Sequence, residues 1–184
     1  MQYTVSLLVK PYIKRFLEIN YGEPVALKEN KDLNNMFRHY LKKPCKRWEN
    51  KYLDLSTSYS SSVIILISED DFYRYGWDIS KTDTVAFNTE IQKRAKFMMR
   101  NLVNYYNSFL CLNDAIRFFQ DKYGFTEDVW SFDAIKKDLN RNTKPEKIDF
   151  KKEITEKIEK IVLGNLSDLG TISHQISKNY AGSK

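Results

Sequence analysis

Cysteine and histidine are nearly missing from these 184 residues, with two of each: Cys45, Cys111, His39 and His174. So few thiols exclude a disulfide framework and an all-cysteine zinc site, and the two histidines add little ligand capacity. Glycine is sparse too. Its six copies, Gly22, Gly76, Gly124, Gly164, Gly170 and Gly182, all stand alone. A phosphate-cradling loop and a dinucleotide fingerprint each need clustered glycines, so neither can be present. No serine sits in a G-x-S-x-G elbow. The longest apolar run is Val63 to Ile67, far short of the roughly 20 residues that cross a bilayer as a helix. The N-terminal stretch has no basic start and no small-residue cleavage site, and no lipidation motif occurs. A cytoplasmic protein without membrane contact is the expectation.

What is present is a globular mixture: 42% hydrophobic, 29% charged and 14% aromatic residues. The length suits one domain, or a domain with a tail. The formal net charge is +6, and the excess is local. Residues 1–50 carry ten Lys/Arg against five Asp/Glu, whereas the next hundred residues are balanced. The excess peaks at Arg38, Lys42, Lys43, Lys46, Arg47 and Lys51, interleaved with Trp48 and Tyr52 and opposed by Glu49. Such a stretch can meet phosphates, or it can be a solvated loop.

Hydrophobic spacing reads as mainly α with some β, an α+β class. Leu8, Tyr12, Phe16 and Ile19 recur as on a helix face over roughly Leu7 to Tyr21, with Pro11 fitting the first turn. Asn30 caps a second helix with Leu33, Phe37, Tyr40 and Leu41 on one face, stopped by Pro44. Val63–Ile67 is β-branched and bounded by polar residues, which predicts a strand. Its expected partners are Lys51–Leu55 and the stretch near Val25, in a two- or three-stranded element. Ser68 starts a short helix that ends near Gly76, and its acids Glu69, Asp70 and Asp71 complement the helix dipole rather than hold a metal. Phe87, Ile91, Ala95, Met98, Leu102, Tyr106 and Phe109 mark a central helix of roughly 25 residues, capped at Thr82 or Asp83. Two shorter helices follow, near 112–123 and 132–141. Gly124 stops the first and Ser131 caps the second. Beyond Pro145 a final helix, about Phe150 to Leu163, carries Ile154, Ile158 and Ile161 as a possible homo-oligomer seam. A loose tail follows it. The expected division is therefore 1–145 and 146–184.

Two constellations bear on function. Cys111 lies between leucines and is expected in the core. Cys45, beside Lys46 and Arg47, has a lowered pKa in prospect but only His39 as a base, so cysteine catalysis is not expected. Residues 112–141 form a helix, a turn and a helix that resemble the helix-turn-helix class in outline. They depart from its short form, because Phe119 stands where a turn glycine belongs and Glu127 and Asp128 precede the second helix. The resemblance implies that Lys136, Lys137, Asn140 and Arg141 face a groove of duplex DNA. Together with Arg38, Lys42, Lys43, Lys46 and Arg47, these residues make non-enzymatic DNA binding the expected function, without cofactor or metal. A small regulator or accessory factor of a phage or mobile element would suit it. The competing expectation is a structural or protein-interaction subunit whose cations only keep it in solution.

Overall fold

A computed structural model describes residues 3–44, 55 and 57–141. The chain divides into two units, Met1–Arg141 and Asn142–Lys184. The helix expected near 150–163, with its isoleucine stripe, and the residues after it fall outside the described residues, as do Cys45, Lys46, Arg47, Trp48 and Tyr52.

The first unit is mostly helical with two small sheets. β1 (Tyr3–Val9) alternates strictly: Val5, Leu7 and Val9 are buried while Thr4 and Ser6 are exposed. That period of two is what a half-buried strand requires. The helical spacing from Leu8 to Tyr12 is therefore a coincidence of two elements, and helix α1 (Pro11–Tyr21) starts only at the proline. Its buried residues are Ile13, Phe16, Leu17 and Tyr21. β2 (Val25–Ala26) and a single 3-10 turn at Leu27–Glu29 follow. α2 (Lys31–Tyr40) is capped as expected, with Asn30 Oδ1 accepting from the Leu33 amide at 3.0 Å. The same side chain reaches back to the Tyr21 hydroxyl at 3.4 Å, tying two helices together. Asn30→Ala is expected to cost about 1–2 kcal/mol in a denaturant titration, and a loss below 0.5 kcal/mol would contradict this role. The helix stops at Tyr40, four residues before Pro44, because β3 (Leu41–Lys42) begins there.

β4 (Ser61–Ile67) is the centre of the main sheet, whose order is β1-β4-β2. It runs antiparallel to β1, with Val5 opposite Ile65, and parallel to β2, with Val25 also aligned on Ile65. Val25 is thus a partner as expected, β1 is an additional one, and Lys51–Asp54 lie outside the described residues. Val63, Ile65 and Ile67 join Val5, Leu7 and Val9 on the buried face.

The short helix α3 (Glu69–Tyr75) begins where Ser68 Oγ accepts from the Asp71 amide. β5 (Asp78–Ile79) pairs antiparallel with β3 in a second, two-stranded ribbon that the sequence pattern did not reveal. The spine is α4 (Lys81–Asn107), 27 residues long. Its cap is Ser80, whose Oγ accepts from the Asp83 amide at 3.2 Å, earlier than Thr82 or Asp83. It buries Phe87, Ile91, Ala95, Met98, Leu102 and Tyr106, while Phe109 lies past its end and is exposed. α5 (Leu112–Tyr123) ends at Gly124, left-handed at φ 64°, where the Phe125 amide bonds to Gln120 O at 2.9 Å in a Schellman-type closure. α6 (Phe132–Arg141) completes the described chain.

Candidate nucleic-acid interface

Among the described residues, two of the cations singled out in the N-terminal half are paired with carboxylates. Arg38 on α2 faces α3: its Nη2 donates to Asp71 Oδ2 at 3.1 Å, and its Nε lies 2.8 Å from Oδ1. Asp71 is buried, so the dipole-complementing acids include one that clamps two helices. Lys42 on β3 pairs with Asp83 in the first turn of α4. Burial raises the Asp83 pKa, but hydrogen bonds from Lys42 and Ser80 outweigh it and hold the carboxyl below its ordinary value. Lys43 is exposed. Lys46 and Arg47 lie outside the described residues.

On α6 the outward set falls as the periodicity implied. Lys137, Asn140 and Arg141 are exposed, and Ile135 is buried. Phe132 and Leu139, expected to face inward with Ile135, are only half-buried. Lys136 is half-covered, with Nζ donating to Asn113 Oδ1 at 3.2 Å and lying 5.6 Å from the centre of the Phe132 ring. The residue that closes this helix onto the spine is Asp138. Its two oxygens accept from Lys96 Nζ at 2.8 Å and Arg100 Nε at 2.7 Å. No local signal marks this aspartate, because its partners lie on another helix.

The hairpin itself differs from a groove-reading motif in direction. Asn113 meets Lys136, Arg117 lies over the Phe132 ring, and Gln120 bonds to Trp130 O. Lys136 and Phe132 retreat along α6 as Asn113 and Arg117 advance along α5, as in two antiparallel helices, while Trp130 precedes α6. A helix-turn-helix crosses steeply and keeps its contacts near the turn. The start of α6 is also occupied, since the Glu127 carboxylate accepts from the Phe132 amide at 3.0 and 3.1 Å. A carboxylate fills the position at the positive end of the helix where a DNA phosphate would otherwise sit.

The spine contributes cations that the sequence reading passed over. Lys93, Lys96 and Arg100 are spaced three and four apart, so they share one sector of α4. Lys93 is exposed, with its Nζ 3.9 Å from Glu90 Oε2, and Lys96 is partly exposed and paired with Asp138. Asp83, which holds Lys42, points about a third of a turn away from the Lys96/Arg100 sector and lies about 20 Å from it along the axis. Lys42 and α6 therefore do not form one continuous surface.

Cys111 is exposed rather than in the core. It occupies the cap position of α5, between helices, and its thiol donates to Asp114 Oδ2 at 3.0 Å. Among the described residues no cluster of three His, Cys, Asp or Glu side chains could hold a metal ion, and no helix is long and apolar enough to cross a membrane. No family model, curated protein or solved structure matches the chain.

Proposed function

We propose that this protein binds duplex DNA without catalysis, through phosphate contacts along the ridge where α4 and α6 lie side by side. One observation carries the reading. Asp138 is drawn under Lys96 and Arg100, which packs α6 against that stretch of the spine, and Lys137 and Arg141 on α6 are exposed. Arg141 follows Asp138 by three residues and so leans to the same side of α6. Lysine and arginine in such a row neutralise phosphates with little demand on base sequence. Asn140 adds an amide that can hydrogen-bond to backbone or base edge. The antiparallel hairpin and its carboxylate-capped start favour α6 lying along the backbone over insertion of its first turn into a groove.

Anisotropy titration of random duplex DNA at several salt concentrations tests this. Lys137→Glu with Arg141→Glu is expected to weaken binding at least ten-fold. Removing the two phosphate contacts should also flatten the salt dependence by about two in log–log slope. Charge reversal at Lys42 and Lys43 is expected to leave duplex affinity within about two-fold. No binding at low salt, or binding indifferent to the α6 pair, would refute the proposal.

A further inference from the structure

A second surface, formed by α3 and the β3–β5 ribbon, carries an independent reading. Phe72 of α3 is sandwiched between two rings. Tyr3 stacks on one face at 4.1 Å between centroids and 24° between planes. Trp77 stacks on the other at 4.5 Å and 13°. The three rings make a short ladder that ends at Trp77, which is 42% exposed. One face of the indole is covered by Phe72, so the outer face is the one in water. Tyr73, 63% exposed, meets both Tyr3 and Phe72 edge-on and braces the ladder.

The ladder ends beside Lys43. β3 and β5 pair antiparallel with Leu41 opposite Ile79 and Lys42 opposite Asp78. One further step of that register sets exposed Lys43 across from Trp77. Gly76 secures the approach, since its Cα lies so close to the Lys42–Lys43 peptide that a methyl group would fall within 2.4 Å of three main-chain atoms. Lys46 and Arg47 follow in sequence. Of the nearby acids, Asp70 pairs with Arg74 and Asp78 accepts from the Ile79 amide, while Glu69 is exposed on the Tyr3 side of the ladder.

We infer that the Trp77 face is a stacking platform for an unpaired base of single-stranded nucleic acid, with Lys43 holding the adjoining phosphate. An open, flat aromatic end one ring wide, with a cation beside it, matches a base and its backbone in shape and charge. Such stacking tolerates any base, because every base has a π-face. The inference does not depend on the α4–α6 ridge.

The test is anisotropy of a labelled 15-nucleotide thymidine oligomer with the full chain. The wild type is expected to bind. Trp77→Ala should weaken binding at least ten-fold, and Trp77→Phe should recover most of it. Duplex binding should be unchanged by either. Lys43→Glu, at an exposed position, should weaken oligomer binding several-fold and keeps the inference testable if Trp77→Ala misfolds. Lys137→Glu/Arg141→Glu should weaken duplex binding at least ten-fold while leaving the oligomer bound, so the two readings fail separately. Failure of the wild type to bind the oligomer, or full affinity in Trp77→Ala and Lys43→Glu, overturns the inference. A dimer that dissociates on Trp77→Ala, with no oligomer bound, overturns it in favour of a second copy of the chain.

Discussion

Asp138→Ala is expected to destabilise the protein by about 3 kcal/mol, the lower end of the range for removing one partner of a buried ion pair. The carboxylate is nearly covered, and it answers both Lys96 and Arg100 through charge-assisted hydrogen bonds. Without it, two cations face each other across the α4–α6 seam. The cost stays at the lower end because Lys96 is 31% exposed and can turn to water, whereas Arg100, at 16%, has less freedom. Acid should reproduce part of the effect. Burial raises the Asp138 pKa, and the hydrogen bonds from Arg100 and Lys96 lower it further than that, so the net shift is downward. A carboxyl with a depressed pKa in the folded state contributes its full stability above the unfolded value of about 3.9 and loses it as the pH falls through the folded value. Denaturant titrations of wild type and Asp138→Asn should therefore differ most at pH 7 and converge below about pH 4. Parallel curves across that range would show that the pair contributes nothing through its charge.

Gly76→Ala is expected to be at least as damaging. The residue sits at φ 105°, where side chains are rarely found, and an added Cβ would lie 2.3 Å from the carbonyl carbon and oxygen of Lys42 and 2.4 Å from the amide nitrogen of Lys43. These are main-chain atoms of the partner strand, so relief requires moving β3. Backbone strain and overpacking together place the cost on the order of 3 kcal/mol or more, with loss of the β3–β5 pairing. Gly124→Ala is the matched control. It too is left-handed, but its Cβ would meet Arg15 Nη2 at 2.7 Å, the end of a flexible side chain. That variant should lose only about 1–2 kcal/mol, the ordinary cost of a left-handed alanine, plus any weakening of the bond from Arg15 Nε to Tyr123 O. Equal melting temperatures for the two variants would contradict the close approach at Gly76.

Legibility from sequence followed the range of each interaction. Asn30, Ser68, Gly124 and Ser131 act on residues three or four positions away, and each marks its helix end as the pattern implied. The mainly α class and the long spine were equally visible, because their apolar period repeats many times over. β1 was hidden because Leu8 and Tyr12 happen to be four apart, although Val5, Leu7 and Val9 alternate in plain view. β5 was hidden because two residues carry no period at all. At the candidate interface, local phase placed Lys137, Asn140 and Arg141 outward correctly. It could not reveal that Arg38 and Lys42 are engaged with Asp71 and Asp83, partners remote in the chain. Lys93, Lys96 and Arg100 were readable as a cationic sector of α4, but the apolar signal of that helix drew attention to its other side. Trp77 gave no warning, since the ladder it ends is built from Phe72 on α3 and Tyr3 on β1.

The position of β4 between β1 and β2 carries a consequence for the order of assembly. Each strand of the main sheet waits on residues 61–67, and Tyr3 must find Ile67 across most of the N-terminal half of the chain. By contrast, α4, α5 and α6 are successive neighbours joined by short turns. Local contacts close at little entropic cost, and distant ones come late. The helical end should therefore gain protection from hydrogen exchange first. β1 leaves the ribosome before the other strands of its sheet, yet it has no partner until β4 has followed it out.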